Sequence, residues 1–185
     1  MIEFSDQAIK KAETLLGGVK DALPKAQVRV INRCLQTARA EAVRAVREDY
    51  AVDASDVRKT MEIKNAGFSN PTGTIISTGN PIDLAKFDVS PSRPNRKSKN
   101  LVTVRVKLGS GRKPIKNAFL ARLSNGHVGI FIRANKARFP IKQLYGPSVP
   151  QMLGSEGVSK KIEDKAVETM EKRLDHEIDR ILEGH

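Results

Sequence analysis

Apolar positions in the first fifty residues recur at helical spacing. Ala8, Ile9, Ala12, Leu15 and Leu16 keep that period over residues 5–17, with Ser5 or Asp6 as a cap and Gly17-Gly18 as a stop. A second, longer helix is predicted from Asp21, a candidate N-cap, to about Tyr50. Pro24 suits its first turn, where the missing N–H costs nothing. Val28, Ile31, Leu35, Ala38, Ala42 and Ala45 form its apolar seam, and Arg29, Arg33, Arg39, Arg44 and Arg47 lie mostly off that seam. A short helix is expected from Asp53-Ala54-Ser55-Asp56 to about Met61, its acids near the positive end of the dipole. At the other end of the chain Val158, Ile162, Ala166, Met170, Leu174, Ile178 and Leu182 recur every four residues. They predict a long helix from about Ser155 to Leu182.

The middle of the chain changes period. Glu62–Ala66 alternates, and Thr74-Ile75-Ile76-Ser77-Thr78 is β-branched between the turn residues Asn70-Pro71-Thr72-Gly73 and Gly79-Asn80-Pro81. From Leu101 to Leu108, Val102, Val104 and Val106 share one face and Thr103, Arg105 and Lys107 the other, the pattern of a half-buried strand. Gly109-Ser110-Gly111 turns the chain. Ala118–Ala121 and Val128–Ile132 are strands joined through Ser124-Asn125-Gly126, and Asn-Gly is a strong hairpin signal. Residues 88–100 hold two prolines, polar residues and four cations; they predict a loop or mobile arm. The expected architecture is α+β: an antiparallel sheet packed by two long amphipathic helices, in one domain over residues 1–185 with the basic arm at about 88–100.

Charge sharpens this picture. The chain has 185 residues and a net charge of +12. From Val89 to Ser155 there are fourteen lysines and arginines and no acid, whereas the remainder sets nineteen basic residues against all 21 acids. Such a concentration points to a surface that faces something anionic. Its densest part is Arg93, Arg96, Lys97 and Lys99, followed by Arg105, Lys107, Arg112, Lys113 and Lys116. These nine are the candidate contacts to DNA or to an acidic partner. Few aromatics lie in the block, Phe119, Phe131, Phe139 and Tyr145, so neither base stacking nor sequence reading is indicated. The content of aromatics is low throughout, with no Trp, two Tyr and six Phe, so the core is thin. Burial of apolar surface against other subunits is the expected supplement.

Chemistry is harder to find. His127, His176 and His185 have no histidine or cysteine at ligand spacing, and no metal or other cofactor is expected. His127 falls in the hairpin turn and reads as a surface polar residue, and His176 reads as solvated. Cys34, the only cysteine, lies beside the seam of the long helix and reads as a small core residue. Gly109-Ser110-Gly111-Arg112-Lys113 fails as a phosphate loop because the glycine spacing is wrong and Pro114 follows the lysine. A metal-dependent nuclease would need carboxylates near the basic block, which holds none, so no enzyme is expected. The opening Met-Ile-Glu-Phe-Ser lacks the pattern of a secretory signal, and no apolar run approaches the roughly 20 residues of a membrane span. A soluble protein made in a cytoplasm is expected, without membrane contact.

The order of these pieces resembles the prophage minor tail protein Z family, the tail completion proteins of long-tailed bacteriophages. The resemblance rests on Ile31-Asn32-Arg33 in the early helix, on Val57-Arg58-Lys59 running into Glu62–Ala66, and on the basic arm. It rests further on Gly126-His127-Val128-Gly129-Ile130-Phe131-Ile132-Arg133 and on the run Arg138-Phe139-Pro140-Ile141-Lys142-Gln143-Leu144-Tyr145-Gly146-Pro147-Ser148-Val149-Pro150 before a terminal helix. It implies a non-enzymatic virion part at the head-proximal end of the tail, assembled in the bacterial host cytoplasm. The implied partners are the tail terminator, tail tube or head connector, with further copies of itself in a ring and nonspecific contact with genomic DNA. Tyr145, Gly146, Pro147, Val149 and Pro150 set a rigid path into the last helix, as an ordinary connector or as a docking segment. The alternative is a free-standing nonspecific DNA-binding protein.

Overall fold

A computed structural model describes Phe4, residues 6–19, 21–94 and 101–184. The expected α+β class is what the structure shows. Helices α1 (Asp6–Leu16), α2 (Ala22–Asp49), α3 (Ala54–Lys59), α4 (Val149–Leu153) and α5 (Glu156–Leu182) accompany strands β1 (Met61–Lys64), β2 (Thr74–Ser77), β3 (Asp88–Ser90), β4 (Thr103–Arg105), β5 (Lys113–Pro114), β6 (Ala118–Arg122), β7 (Val128–Arg133) and β8 (Ile141–Gln143). All strand pairs are antiparallel, and among the described residues they form three small sheets: β1-β2, β3-β4-β5 and β6-β7-β8. The chain divides into two compact units, each discontinuous in sequence. Unit 1 holds residues 1–45, 61–77 and 155–185; unit 2 holds residues 46–60 and 78–154.

Unit 1 is helical. Its core joins Ala12 and Leu16 of α1, Ala22, Ala26, Val30 and Cys34 of α2, and Met170, Leu174 and Ile178 of α5. The α2 and α5 members each recur at a spacing of four, so i±4 ridges meet, and the alanines let backbones approach. The expected α2 seam is also inward: Val28, Leu35, Ala38, Ala42 and Ala45 are buried. It serves a different neighbour, because a Cβ at Gly73, just before β2, would stand 2.6 Å from Leu35 Cδ1 and 2.8 Å from Ile31 Cγ2. Helix α2 therefore carries two apolar stripes, and only one was visible as a period. Polar contacts complement the packing. Asn32 Nδ2 donates to Ala66 O (3.1 Å) and Asn32 Oδ1 accepts from Ala66 N (2.8 Å), bracketing the chain after β1. Lys11 pairs with Asp175 at 2.7 Å and Arg29 with Glu177 at 3.4 Å, tying α1 and α2 to α5. Asp21 occupies the N-cap position of α2, its main-chain carbonyl accepting from Lys25 N, but its φ is 57° rather than the extended value usual there. On α5 the predicted stripe is buried at Val158, Ala166, Met170, Leu174 and Ile178, but Leu182 is exposed.

Unit 2 is built from short strands. The predicted hairpin is β6-β7, with Gly126 at φ 82°, where a glycine is needed, and His127 N donating to Asn125 Oδ1. Three regions depart from expectation. Residues 88–90, assigned to the arm, form β3, and Asp88, Val89 and Ser90 pair with Arg105, Val104 and Thr103. The strand expected over Leu101–Leu108 narrows to β4, with an isolated bridge from Lys107 to Tyr50. Segment 138–150 contains β8 and the start of α4. Ser148 caps α4 through a capping box: Ser148 N donates to Gln151 Oε1 (2.9 Å) and Gln151 N to Ser148 Oγ (3.4 Å), with Pro150 in the first turn.

Candidate interaction surface on the basic unit

Charge divides cleanly between the units. By sequence, unit 1 holds fifteen basic and fifteen acidic residues, and unit 2 holds eighteen basic and six acidic. The whole surplus of +12 belongs to unit 2. All nine residues predicted for anion contact lie in its segments, although Arg96, Lys97 and Lys99 fall outside the described residues.

The described members are not equivalent. Asp88, the last acid before the acid-free stretch, stands opposite Arg105 in the β3-β4 register. Its Oδ2 lies 2.6 Å from Arg105 Nη2 and accepts from Arg105 Nε at 2.8 Å; its Oδ1 accepts from Arg112 Nη2 at 2.6 Å. The Arg112 hydrogen bond, followed by that of Arg105, holds the Asp88 carboxyl below the usual carboxylate range. Two guanidinium groups are thus committed to one carboxylate, and a phosphate arriving there would compete with it. Lys107 Nζ sits 5.6 Å from the centroid of the Tyr50 ring, a cation–π contact that leaves the side chain at the surface. Arg93, Lys113 and Lys116 are exposed, and no ion pair engages them among the described residues.

A second set of cations belongs to the β6-β7-β8 sheet, where the density of charge in the sequence is lower. Arg133 ends β7, Lys136 and Arg138 lie in the connection to β8, and Lys142 of β8 stands opposite Ile132. This connection is braced from within. Arg133 Nη1 donates to Arg138 O at 3.1 Å, Ala137 N to Asn135 Oδ1 at 2.9 Å, and Ala134 N to Pro140 O at 3.0 Å. Arg133 also covers the Phe119 ring at 5.4 Å, and Arg138 lies 5.7 Å from the Phe139 centroid.

The predicted docking segment is held mainly by its backbone. Gly146 N donates to Ile82 O at 2.7 Å, Leu84 N to Leu144 O at 3.1 Å, and Asp83 bridges Tyr145. A Cβ at Gly146 would meet the buried Phe87 ring at 2.5 Å, so close packing explains this glycine. Tyr145 is 56% exposed and open to a partner, whereas Val149, at 1%, faces inward. Pro147 and Pro150 are half-buried.

His127 has partners that its place in a turn did not announce. Its Nε2 lies 3.1 Å from Asp83 Oδ2 and 2.8 Å from Gln143 Nε2, while Gln143 donates to the same Asp83 oxygen at 2.7 Å. Asp83 Oδ1 accepts from Ala85 N, capping the 3-10 turn Leu84–Lys86. The cluster ties that turn, the hairpin and β8 together. Among the described residues, no group of three His, Cys, Asp or Glu side chains is placed to hold a metal ion. Among the same residues, no helix is long and apolar enough to cross a membrane.

Comparison with known proteins points in one direction. A tail completion protein of Escherichia phage N15 is 29% identical over 140 residues, covering 74% of this chain and 73% of its own length. No solved structure matches. The prophage minor tail protein Z family matches residues 4–183, from two residues before α1 to one residue past α5, and the chain belongs to that family.

Proposed function

We propose that this minor tail protein completes the head-proximal end of a long phage tail, contacting the tail terminator, tail tube or head connector. The observation that carries this reading is the family match across nearly the whole chain, joined by a tail completion protein among its relatives. Its role is structural and needs no cofactor. Unit 2, with its uncompensated charge, supplies the face turned toward a polyanion or an acidic wall of the assembly. Tyr145 offers an exposed aromatic anchor on a backbone-braced segment. Copies of the chain assemble into a ring. Leu15, Val19, Phe68, Val167 and Leu182 of unit 1, all exposed, provide apolar surface to bury between them.

Phage particles made with the gene deleted provide the test. The expected result in negative stain is tails with a defective head-proximal end and a loss of infectious particles, restored by supplying the protein in trans. Deletion particles with normal tails and normal infectivity would remove the proposal. Mass photometry of the purified protein with and without the tail terminator checks the ring, and a monomer in both conditions speaks against it.

A further inference from the structure

We infer that the β7-β8 connection grips the phosphate backbone of duplex DNA, with Lys136, Arg138 and Lys142 as the contacting cations and Lys116, just before β6 on the same sheet, as a fourth. This rests on the reading of the protein as a part of the head-proximal end of the tail whose basic unit faces a polyanion.

Four observations carry it. These side chains are exposed, and among the described residues no acid pairs with them, in contrast to Arg105 and Arg112, which Asp88 already holds. The sheet sets Lys142, Ile132 and Ala118 in one row across β8, β7 and β6, with Lys116 two residues before Ala118, while Lys136 and Arg138 lie in the connection that leads into β8. Hydrogen bonds from Arg133, Ala134 and Ala137 fix the connection before any ligand arrives, so little ordering remains to oppose binding. Finally, the chemistry suits a phosphodiester backbone better than its rivals. Guanidinium groups stand over both Phe119 and Phe139, so free aromatic faces for stacking unpaired bases are scarce. An acidic protein partner would call for a desolvated apolar centre, and the connection shows one large exposed apolar side chain, Phe139 at 63%.

The test is a salt titration of the full-length protein against a short, labelled duplex of random sequence. Four phosphate contacts give a slope of log K on log salt of about −3.6. The variant K136Q/R138Q/K142Q is expected to lose about 2.7 of that slope, and each single substitution about 0.9. R105Q/R112Q is expected to leave the slope unchanged. Circular dichroism confirms that each variant is folded, and the single substitutions carry the test if the triple variant is not. The inference is overturned if the wild-type protein does not bind the duplex, if the lysine and arginine variants keep its slope, or if the loss follows Arg105 and Arg112 instead. Equal affinity for polyglutamate and for DNA would also overturn it, assigning the surface to an acidic protein. Its failure is distinct from failure of the completion role. Deletion particles report on completion, whereas the slope reports on this contact alone.

Discussion

The helical unit and the strand-rich unit solve opposite problems with the same residue types. In unit 1, cations and acids balance, and they meet across helices, as Lys11 meets Asp175 and Arg29 meets Glu177. The charges there decorate a core of alanine, valine, leucine and methionine that holds α1, α2 and α5 together. In unit 2 cations outnumber acids three to one, and the acids are rationed: Asp88 serves two arginines, Asp56 two lysines, and Asp83 a histidine, a glutamine and a main-chain N–H. The difference teaches that a surplus of charge does not mark every cation as a contact. Those near an acid help build the fold, and Lys136, Arg138 and Lys142, exposed and without an acid partner among the described residues, are the ones proposed for a ligand.

The comparison can be broken from either side. Leu174→Ala, in the unit 1 core, should cost about 3 kcal/mol in urea denaturation, through lost burial and the cavity left behind, while leaving the DNA salt slope unchanged in the folded variant. A changed slope would show that the two units do not divide their tasks. Gly146→Ala should cost about 1–3 kcal/mol, because the added methyl meets a buried aromatic ring. A neutral result in thermal melts would mean that Phe87 can yield. Asp88→Asn should cost less than either and act through charge.

The sign for Asp88 follows from its depressed folded-state pKa. Its contribution is fully present above the unfolded carboxylate range near about 4, and it is lost as pH falls through the lower folded value. Wild type should therefore be the more stable at neutral pH, and the two proteins should converge in acid. Asp88→Asn should also tighten binding to duplex DNA by releasing Arg105 and Arg112. If affinity is unchanged, these arginines face away from any polyanion. The smallest effect concerns Cys34, whose thiol burial pushes up to about 11 against the opposing influence of Arg173. At equal pH its thiolate fraction is about a hundredfold below that of an unperturbed cysteine. A thiol reagent should label it slowly in the native protein and rapidly in denaturant; fast native labelling would mean that unit 1 opens readily.

The helices were legible because amphipathic periods survive as local signals: α1, α2, α3 and α5 begin and end within a few residues of their predicted bounds. The hairpin around Asn125-Gly126 was legible for the same reason, since its turn chemistry is local. Strand β3 was not, because Asp88-Val89-Ser90 is too short for a period and becomes a strand only by pairing with β4. Helix α4 had left a trace that was missed, Ser148 and Gln151 at capping-box spacing. The second stripe of α2, Ala22-Ala26-Val30-Cys34, was hidden by small residues that signal burial weakly. Within the proposed interaction surface, the sequence locates the excess of positive charge but ranks its members by density along the chain. That ranking favoured Arg105 and Arg112, which Asp88 binds, over Lys136, Arg138 and Lys142.

By itself the sequence determined the helices, the hairpin, the charge balance and the family, because each is written in neighbouring residues or in composition. Tertiary structure alone decided which cations are neutralised, what Gly146 and Gly73 accommodate, and that Asp83, His127 and Gln143 meet. Such contacts depend on which strands pair and in what register. Those choices are fixed by the packing of residues far apart in the chain, so no local pattern records them.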